Sequence, residues 1–301
     1  MNVNEHKLIG KTIGDYTIEA VIGRGTVGIV FRALDPQDKV VALKLFAPPP
    51  TADAQLLLAR FQREARLTAS FDHPNIASVI DTGQFEDNAY MVMPFAPGET
   101  LDLRLRKKSK LEELVAVEVA WQVADALSYA HKHGVIHRDV KPSNIIMDDN
   151  YHAMLTDFGV AQSFDDPRLT KDGYLVGTPA FMAPEQIAEN KQVDHRADLY
   201  SLGAVLYRMV VGRLPFRGTI PQILHAQVYE KLPLPSSLVK ISPETEAVIV
   251  KAMAKRPEDR YQDGEAMTQA LARVSYQLRE NKGKSRSLWQ TLLKRLNLVQ
   301  L

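Results

Sequence analysis

The sequence predicts an α+β chain built as two lobes, a small antiparallel β-rich one with one main helix, followed by a larger, mostly helical one. Three observations carry this. Residues 15–46 and 76–93 hold strand-like runs rich in β-branched and aromatic residues. Pro94-Phe95-Ala96-Pro97-Gly98 then interrupts the pattern. Beyond it, apolar residues recur at helical spacing. A length of 301 residues is long for one core and suits two. The expected organisation is a segment at 1–14, a domain at 15–275 (N-lobe 15–93, hinge 94–98, C-lobe 99–275) and an amphipathic tail at 276–301.

In order along the chain, Tyr16–Ile22, Ile29–Ala33 and Val40–Phe46 read as three strands. The first leads into Gly23-Arg24-Gly25-Thr26-Val27-Gly28, and Asp35-Pro36 turns the second into the third. A strand follows the glycines, not the helix that a dinucleotide-binding loop would open. Glycines let a backbone approach phosphates closely, and a plain hairpin needs them just as often. Pro48-Pro49-Pro50 ends the third strand, and a helix is expected from Asp53 to Ser70 with Glu64 near its middle. Glu64 reads either as a solvated helix charge or as an ion-pair partner for Lys44. His73 reads as a turn or packing residue. Ile76–Ile80 and Ala89–Met93 read as further strands. After the hinge come helices at Leu101–Lys107 and Leu111–His133, with Gly134 as C-cap, then Asp198–Val211, stopped by Gly212. Pro221–Tyr229, Pro243–Lys255 and Gly264–Arg279 follow. Leu288, Trp289, Leu292, Leu293, Leu296 and Val299 make a last apolar stripe beside Lys294 and Arg295.

The bulk numbers narrow the function classes. Hydrophobic residues make up 45% and charged residues 24%, as in ordinary globular proteins. A net charge of +1 supplies no global field for nucleic acid or a membrane. With no cysteine there is no disulfide framework, zinc–thiolate site or thiol chemistry, which fits a reducing cytosol. Met1–Gly14 lacks the apolar core of a signal peptide, and no run reaches the roughly 18 apolar residues of a membrane span. The expected location is cytoplasmic, with no nucleic-acid partner.

The densest chemistry lies in His137-Arg138-Asp139-Val140-Lys141-Pro142-Ser143-Asn144, followed by Asp157-Phe158-Gly159. A carboxylate, a fixed cation two residues on, and an amide three beyond that stand in a turn stiffened by proline. Phosphoryl transfer needs such a set: one carboxylate orients a hydroxyl, a lysine offsets charge on the moving phosphate, and an amide with a second carboxylate holds Mg²⁺. Each residue alone is a common turn former; the ordered set is not.

The order of glycine loop, Val41-Ala42-Leu43-Lys44, Glu64, the 137–144 loop, Asp157-Phe158-Gly159 and Ala183-Pro184-Glu185 resembles the eukaryotic-like (Hanks-type) protein kinases over residues 15–275. The stretch Gly177–Glu185 looks like their bacterial serine/threonine branch. The resemblance implies the bilobal protein-kinase fold, ATP with Mg²⁺ (or Mn²⁺), and protein serine or threonine acceptors. It implies that the backbone of Gly23, Gly25 and Gly28 covers the ATP phosphates, with Ile22 and Arg24 also in the ATP site. Lys44 would contact those phosphates and be held by Glu64. Val30, Ala42 and Ile146 would sandwich the adenine. Met93 stands at the gatekeeper position. Pro94 replaces a common acidic residue yet keeps the carbonyl that adenine needs, and Ala96 would supply the N–H. Asp139 would accept the hydroxyl proton, Lys141 would neutralise the γ-phosphate, and Asn144 and Asp157 would bind the metal. His137 and Phe158 would pack the loop, Glu185 would pair with Arg260, and Asp198 would hydrogen-bond the 137–139 turn.

Regulation is expected through Arg138, which a phosphate on the 157–185 segment would neutralise; Thr170 is the foremost site, with Ser163, Tyr174 and Thr178 behind it. Asp165, Asp166 or Asp172 could serve Arg138 instead. Thr178 would also shape the acceptor site. Autophosphorylation in trans would use a homodimer. Glu99 and Asp102 read as solvated or ribose-side groups before they read as a basic-substrate site. For 287–301, packing or a partner contact is favoured over a membrane surface. The rival functions are a pseudokinase scaffold, which would lack Lys44, Asp139 or Asp157, and a small-molecule phosphotransferase, which would lack the full 137–144 pattern.

Overall fold

The computed structural model describes residues 5–25, 28–46, 61, 65, 68–86, 88–158, 179–188 and 192–281. The chain divides into two compact units, Met1–Gly98 with Leu155–Val176, and Glu99–Met154 with Gly177–Leu301.

The first unit is built on a six-stranded sheet of β1 (Thr12–Ile13), β2 (Tyr16–Gly25), β3 (Gly28–Leu34), β4 (Val40–Phe46), β5 (Asp81–Phe85) and β6 (Asn88–Pro94), in the order β1-β2-β3-β4-β6-β5. Every pairing is antiparallel. Side chains alternate across a strand, so one face collects Ile29, Phe31, Ala33, Val41, Leu43, Leu45 and Val92 into the core. The even-numbered residues of β3 and β4 turn the other way. The register sets Val30 opposite Lys44, Lys44 opposite Met91, and Ala42 opposite Met93. The chain before β2 joins the same core: Leu8 and Ile13 are buried in it, and the Gly10 N–H donates to the Ile18 carbonyl at 2.8 Å.

The strand expected over Ile76–Ile80 does not form; the edge strand is β5, immediately after it. The Ile76–Ile80 run instead makes an isolated parallel bridge from Ile76 to Leu155, and the Ala77 N–H donates to the Leu155 carbonyl at 2.9 Å. Ile76, Ala77 and Val79 are buried all the same. Burial of extended chain produced the apolar run, whereas an edge strand is half-exposed and tolerates the polar sequence Asp81-Thr82-Gly83-Gln84. Most of the helix expected at 53–70 lies outside the described residues; Phe61, Ala65 and Thr68 are helical and buried, and Phe61 stacks on Phe46 with ring centroids 4.7 Å apart.

The second unit holds seven helices among the described residues: α1 (Leu101–Lys108), α2 (Glu113–Lys132), α3 (Pro184–Ile187), α4 (Arg196–Val211), α5 (Ile220–Tyr229), α6 (Pro243–Ala252) and α7 (Gly264–Asn281). Short strands β7 (Glu99–Thr100), β8 (Ile145–Met147) and β9 (Ala153–Leu155) form a small sheet. Helix α4 is buried on nearly every side, as a central helix must be. Gly212 stops it in the left-handed conformation (φ 84°), and Gly134, past the end of α2, adopts the same turn (φ 75°). Helix α6 ends at Ala252, three residues short of the expected Lys255, and α7 runs on to Asn281, where Arg279 Nε donates to Glu118 of α2 at 2.7 Å. No helix among the described residues is long and apolar enough to cross a membrane.

Candidate active site

The first unit contributes a cation and a carboxylate. Lys44 projects from the β4 face opposite the core, is 7% exposed, and places Nζ 2.6 Å from Asp157 Oδ1. Asp157 takes a left-handed backbone (φ 63°), a conformation that costs a non-glycine residue about 1–2 kcal/mol. Phe158 is buried beside it, its ring edge-on to Phe71 at 5.9 Å. Val30, Ala42, Lys44 and Met93 share one sheet face through the β3–β4–β6 register, and Gly23 pairs with Val30. Ile22 is exposed, and Pro94 closes β6. Gly28 is required for a reason internal to the sheet. A Cβ there would sit 2.4 Å from the Leu45 carbonyl oxygen of the paired strand. Arg24 reaches back to the N-terminal turn, with Nε 3.0 Å from both carboxylate oxygens of Glu5 and Nη2 2.5 Å from one of them. Glu64, Thr170 and Thr178 lie outside the described residues.

In the second unit, side chains of the 139–144 loop converge on Asp139. Lys141 Nζ lies 2.5 Å from Asp139 Oδ2. The Asn144 amide donates to the same oxygen at 3.1 Å and to the Asp139 carbonyl at 2.9 Å. Pro142–Asn144 forms a single 3₁₀ turn, which brings residues 141 and 144 back onto 139. The Asn144 Oδ1 accepts the neighbouring Ser143 hydroxyl at 3.4 Å. Amide and carboxylate oxygens are hard donors, and as a chemical class they suit Mg²⁺ or Mn²⁺ better than a soft metal.

Asp198, fully buried at the start of α4, holds the turn from below. Its carboxylate accepts the His137 N–H at 2.8 Å and the Arg138 N–H at 2.7 Å, and His131 Nε2 lies 2.8 Å from Oδ2. Burial works against its charge, but the bond to His131 and the pull of His131 and His137 outweigh burial and hold the carboxyl below its usual range. His137 is buried completely, and its Nδ1 accepts the Asp139 N–H at 3.3 Å. Arg138 is left-handed (φ 64°), and its carbonyl accepts from the Gln186 amide at 2.9 Å. Glu185 and Arg260 form a buried two-pronged pair at 2.6 and 2.7 Å. The remaining guanidinium N–H groups donate to the carbonyls of Ala254, Arg196 and Lys255, so all five donors are used.

Two residues of this set escaped the sequence reading. His131 continues the buried row Ala120, Ala124, Leu127 at helical spacing, so its signal was a polar side chain in an apolar stripe. Gln186 stands at the third position of α3, where its carbonyl oxygen also accepts the Ala183 N–H at 2.9 Å; a Gln there is a helix-start signal. Glu99 and Asp102 are engaged within their own unit. Lys107 lies 2.5 Å from Glu99 and, with Arg104, keeps its carboxyl below the usual range, while Asp102 pairs with Arg106 at 2.8 Å.

The fold and the arrangement of this loop are of the kind that phosphoryl transfer needs, and comparison with known proteins shows the family. The family model described as "Protein kinase domain" matches residues 16–273, and the chain belongs to that family. Members use ATP and a divalent metal ion. Serine/threonine-protein kinase pkn3 of Myxococcus xanthus is 40% identical over 286 residues, which cover 90% of this chain and 52% of that protein. PknE of Mycobacterium tuberculosis is 37% identical over 254 residues, covering 84% of this chain and 44% of that protein. The crystal structure of the M. tuberculosis PknI kinase domain superimposes with a TM-score of 0.69 at 27% identity, covering 88% of this chain and 97% of that domain. The chain spans about half the length of the curated relatives it matches.

Proposed function

We propose that this chain transfers the γ-phosphoryl group of ATP to serine and threonine hydroxyls of protein substrates. The observation that carries this reading is the convergence of Lys141 and Asn144 on one oxygen of Asp139, above a buried Asp198 that fixes the turn. In this reading Asp139 orients the acceptor hydroxyl and takes its proton, while Lys141 offsets the charge of the phosphoryl group in transit. The Gly23–Gly28 loop and Lys44 bind the phosphates. Met93, the Pro94 carbonyl, the Ala96 N–H, Val30, Ala42 and Ile146 bind the adenine. Asn144 and Asp157 hold Mg²⁺, which neutralises phosphate charge when bound. We further infer a cytoplasmic location, where ATP is supplied, and self-phosphorylation of the 157–185 segment at Thr170.

Incubating the chain with labelled ATP, Mg²⁺ and casein tests the reading. Label should enter casein and the chain itself, on serine and threonine only. Asp139→Asn should lower the rate by about 10²–10⁴-fold, the usual worth of a positioned base, with nucleotide affinity unchanged. Equal silence of wild type and Asp139→Asn with both Mg²⁺ and Mn²⁺ would overturn it.

A further inference from the structure

Gln227, on α5, is a completely buried amide far from the 137–144 loop in sequence. An amide in such a place must have every polar atom satisfied, and here each one is spent on a specific target. Nε2 donates to two successive carbonyls, Pro179 at 3.3 Å and Ala180 at 2.8 Å. Oε1 accepts from the Tyr200 hydroxyl of α4. The backbone carbonyl of Gln227 accepts Lys255 Nζ at 2.6 Å, and that of Ala226 accepts the same ammonium at 2.9 Å. Tyr200 in turn lies under the Arg260 guanidinium at 4.9 Å, the partner of Glu185. The Pro179–Phe181 turn is therefore gripped by one side chain whose orientation is fixed from behind.

That turn follows Thr178 directly in sequence and leads into Ala183-Pro184-Glu185. We propose that Gln227 is a positioning residue for the protein acceptor: by aligning the 179 and 180 carbonyls it sets the segment against which the acceptor peptide lies. This rests on the kinase reading above. Only a side chain that donates twice and accepts once fits. Met fills the volume and donates nothing, and Glu sets a carboxylate against two carbonyl oxygens.

The test is initial-rate kinetics with Mg·ATP and casein for the wild-type chain, Gln227→Met and Gln227→Glu, with thermal midpoints recorded alongside. The KM for casein should rise about fivefold or more in Gln227→Met, the worth of one lost hydrogen bond, with the KM for ATP within about twofold of wild type. In Gln227→Glu the casein KM should fall back as the pH is lowered, because the protonated carboxyl regains one donor. A folded Gln227→Met with an unchanged casein KM overturns the proposal. So does a loss that falls on kcat, the ATP KM and the thermal midpoint alike, which marks a merely structural residue. If Gln227→Met does not fold, Tyr200→Phe decides: it keeps both amide donors and frees their orientation, so a rise in casein KM alone supports the proposal and no change overturns it. A wild-type chain that transfers no phosphate overturns the kinase reading together with this proposal, whereas active wild type beside unaffected variants overturns this proposal alone.

Discussion

Arg138 carries the strain of the catalytic loop. Its left-handed backbone costs about 1–2 kcal/mol, and two hydrogen bonds hold it there, one to the Asp198 carboxylate and one from Gln186. The bond to the charged carboxylate is worth about 1.5–3 kcal/mol and the neutral bond from Gln186 about 0.5–1.5 kcal/mol, together enough to offset the strain. Because the carboxyl of Asp198 is held below its usual range, its contribution to stability is complete above the ordinary aspartate pKa and is lost as the pH falls through the lower, folded-state value. Denaturant midpoints of wild type and Asp198→Asn should therefore differ most near neutral pH and converge in acid; a constant gap across pH would refute the linkage. The Glu185–Arg260 pair calls for a different experiment. Removing one partner of a buried pair strands the other charge, so Arg260→Ala should cost about 3–5 kcal/mol, while Glu185→Leu with Arg260→Met should cost clearly less than the sum of the single changes. A double-mutant cycle in urea measures this.

Elements explain which parts were legible and which were not. Strands β2, β3, β4 and β6 and helices α1, α2, α4, α5 and α7 fall within a few residues of their sequence positions, because each buries a face whose period is written in the apolar residues. The run at 76–80 misled because burial without sheet pairing leaves the same mark. The long-range contacts of Gln186 and Gln227 were invisible because one glutamine carries no period, and the carbonyls they grip lie 47 or 48 residues away. Close approaches between helices are equally silent in sequence. A Cβ at Gly203 in α4 would meet the Ala252 Cβ of α6 at 2.7 Å, so Gly203→Ala should destabilise by about 1–3 kcal/mol, read as a lower urea midpoint. Lys255 closes the same region, over the Phe216 ring at 4.5 Å and against the last carbonyls of α5. Burial lowers its pKa from 10.5 to about 8. In that window the unfolded chain binds more protons than the folded one, so stability should rise between about pH 8 and 10.5. The rise should be smaller in Lys255→Met, and equal slopes would refute the assignment.

At the scale of the whole molecule, the residues proposed for the chemistry fall in both units. Lys44 and Asp157 belong to the first; Asp139, Lys141 and Asn144 belong to the second. The sequence motifs name all five as expected participants, because phosphoryl transfer restricts residue type and order more tightly than packing does. The segment from Asp157 to Glu185 belongs in part to each unit and carries Thr170. A phosphate there adds about −1.5 to −2 charge and makes one to three charge-assisted hydrogen bonds. Arg138 directly precedes Asp139 in sequence. If phosphorylation of Thr170 activates the chain through it, Thr170→Ala should lower turnover of casein by about tenfold or more, the worth of a single such bond, with the KM for ATP little changed. Thr170→Glu, with one charge and two oxygens, should recover part of the rate. The order of the reaction follows from the same reading. One chain acting on another phosphorylates at a rate that grows with the square of concentration, whereas a chain acting on itself shows a fractional rate independent of dilution. Mixing wild type with Asp139→Asn separates the two directly: label on Thr170 of the inactive partner establishes transfer between chains, and its absence there while the active chain is labelled refutes it.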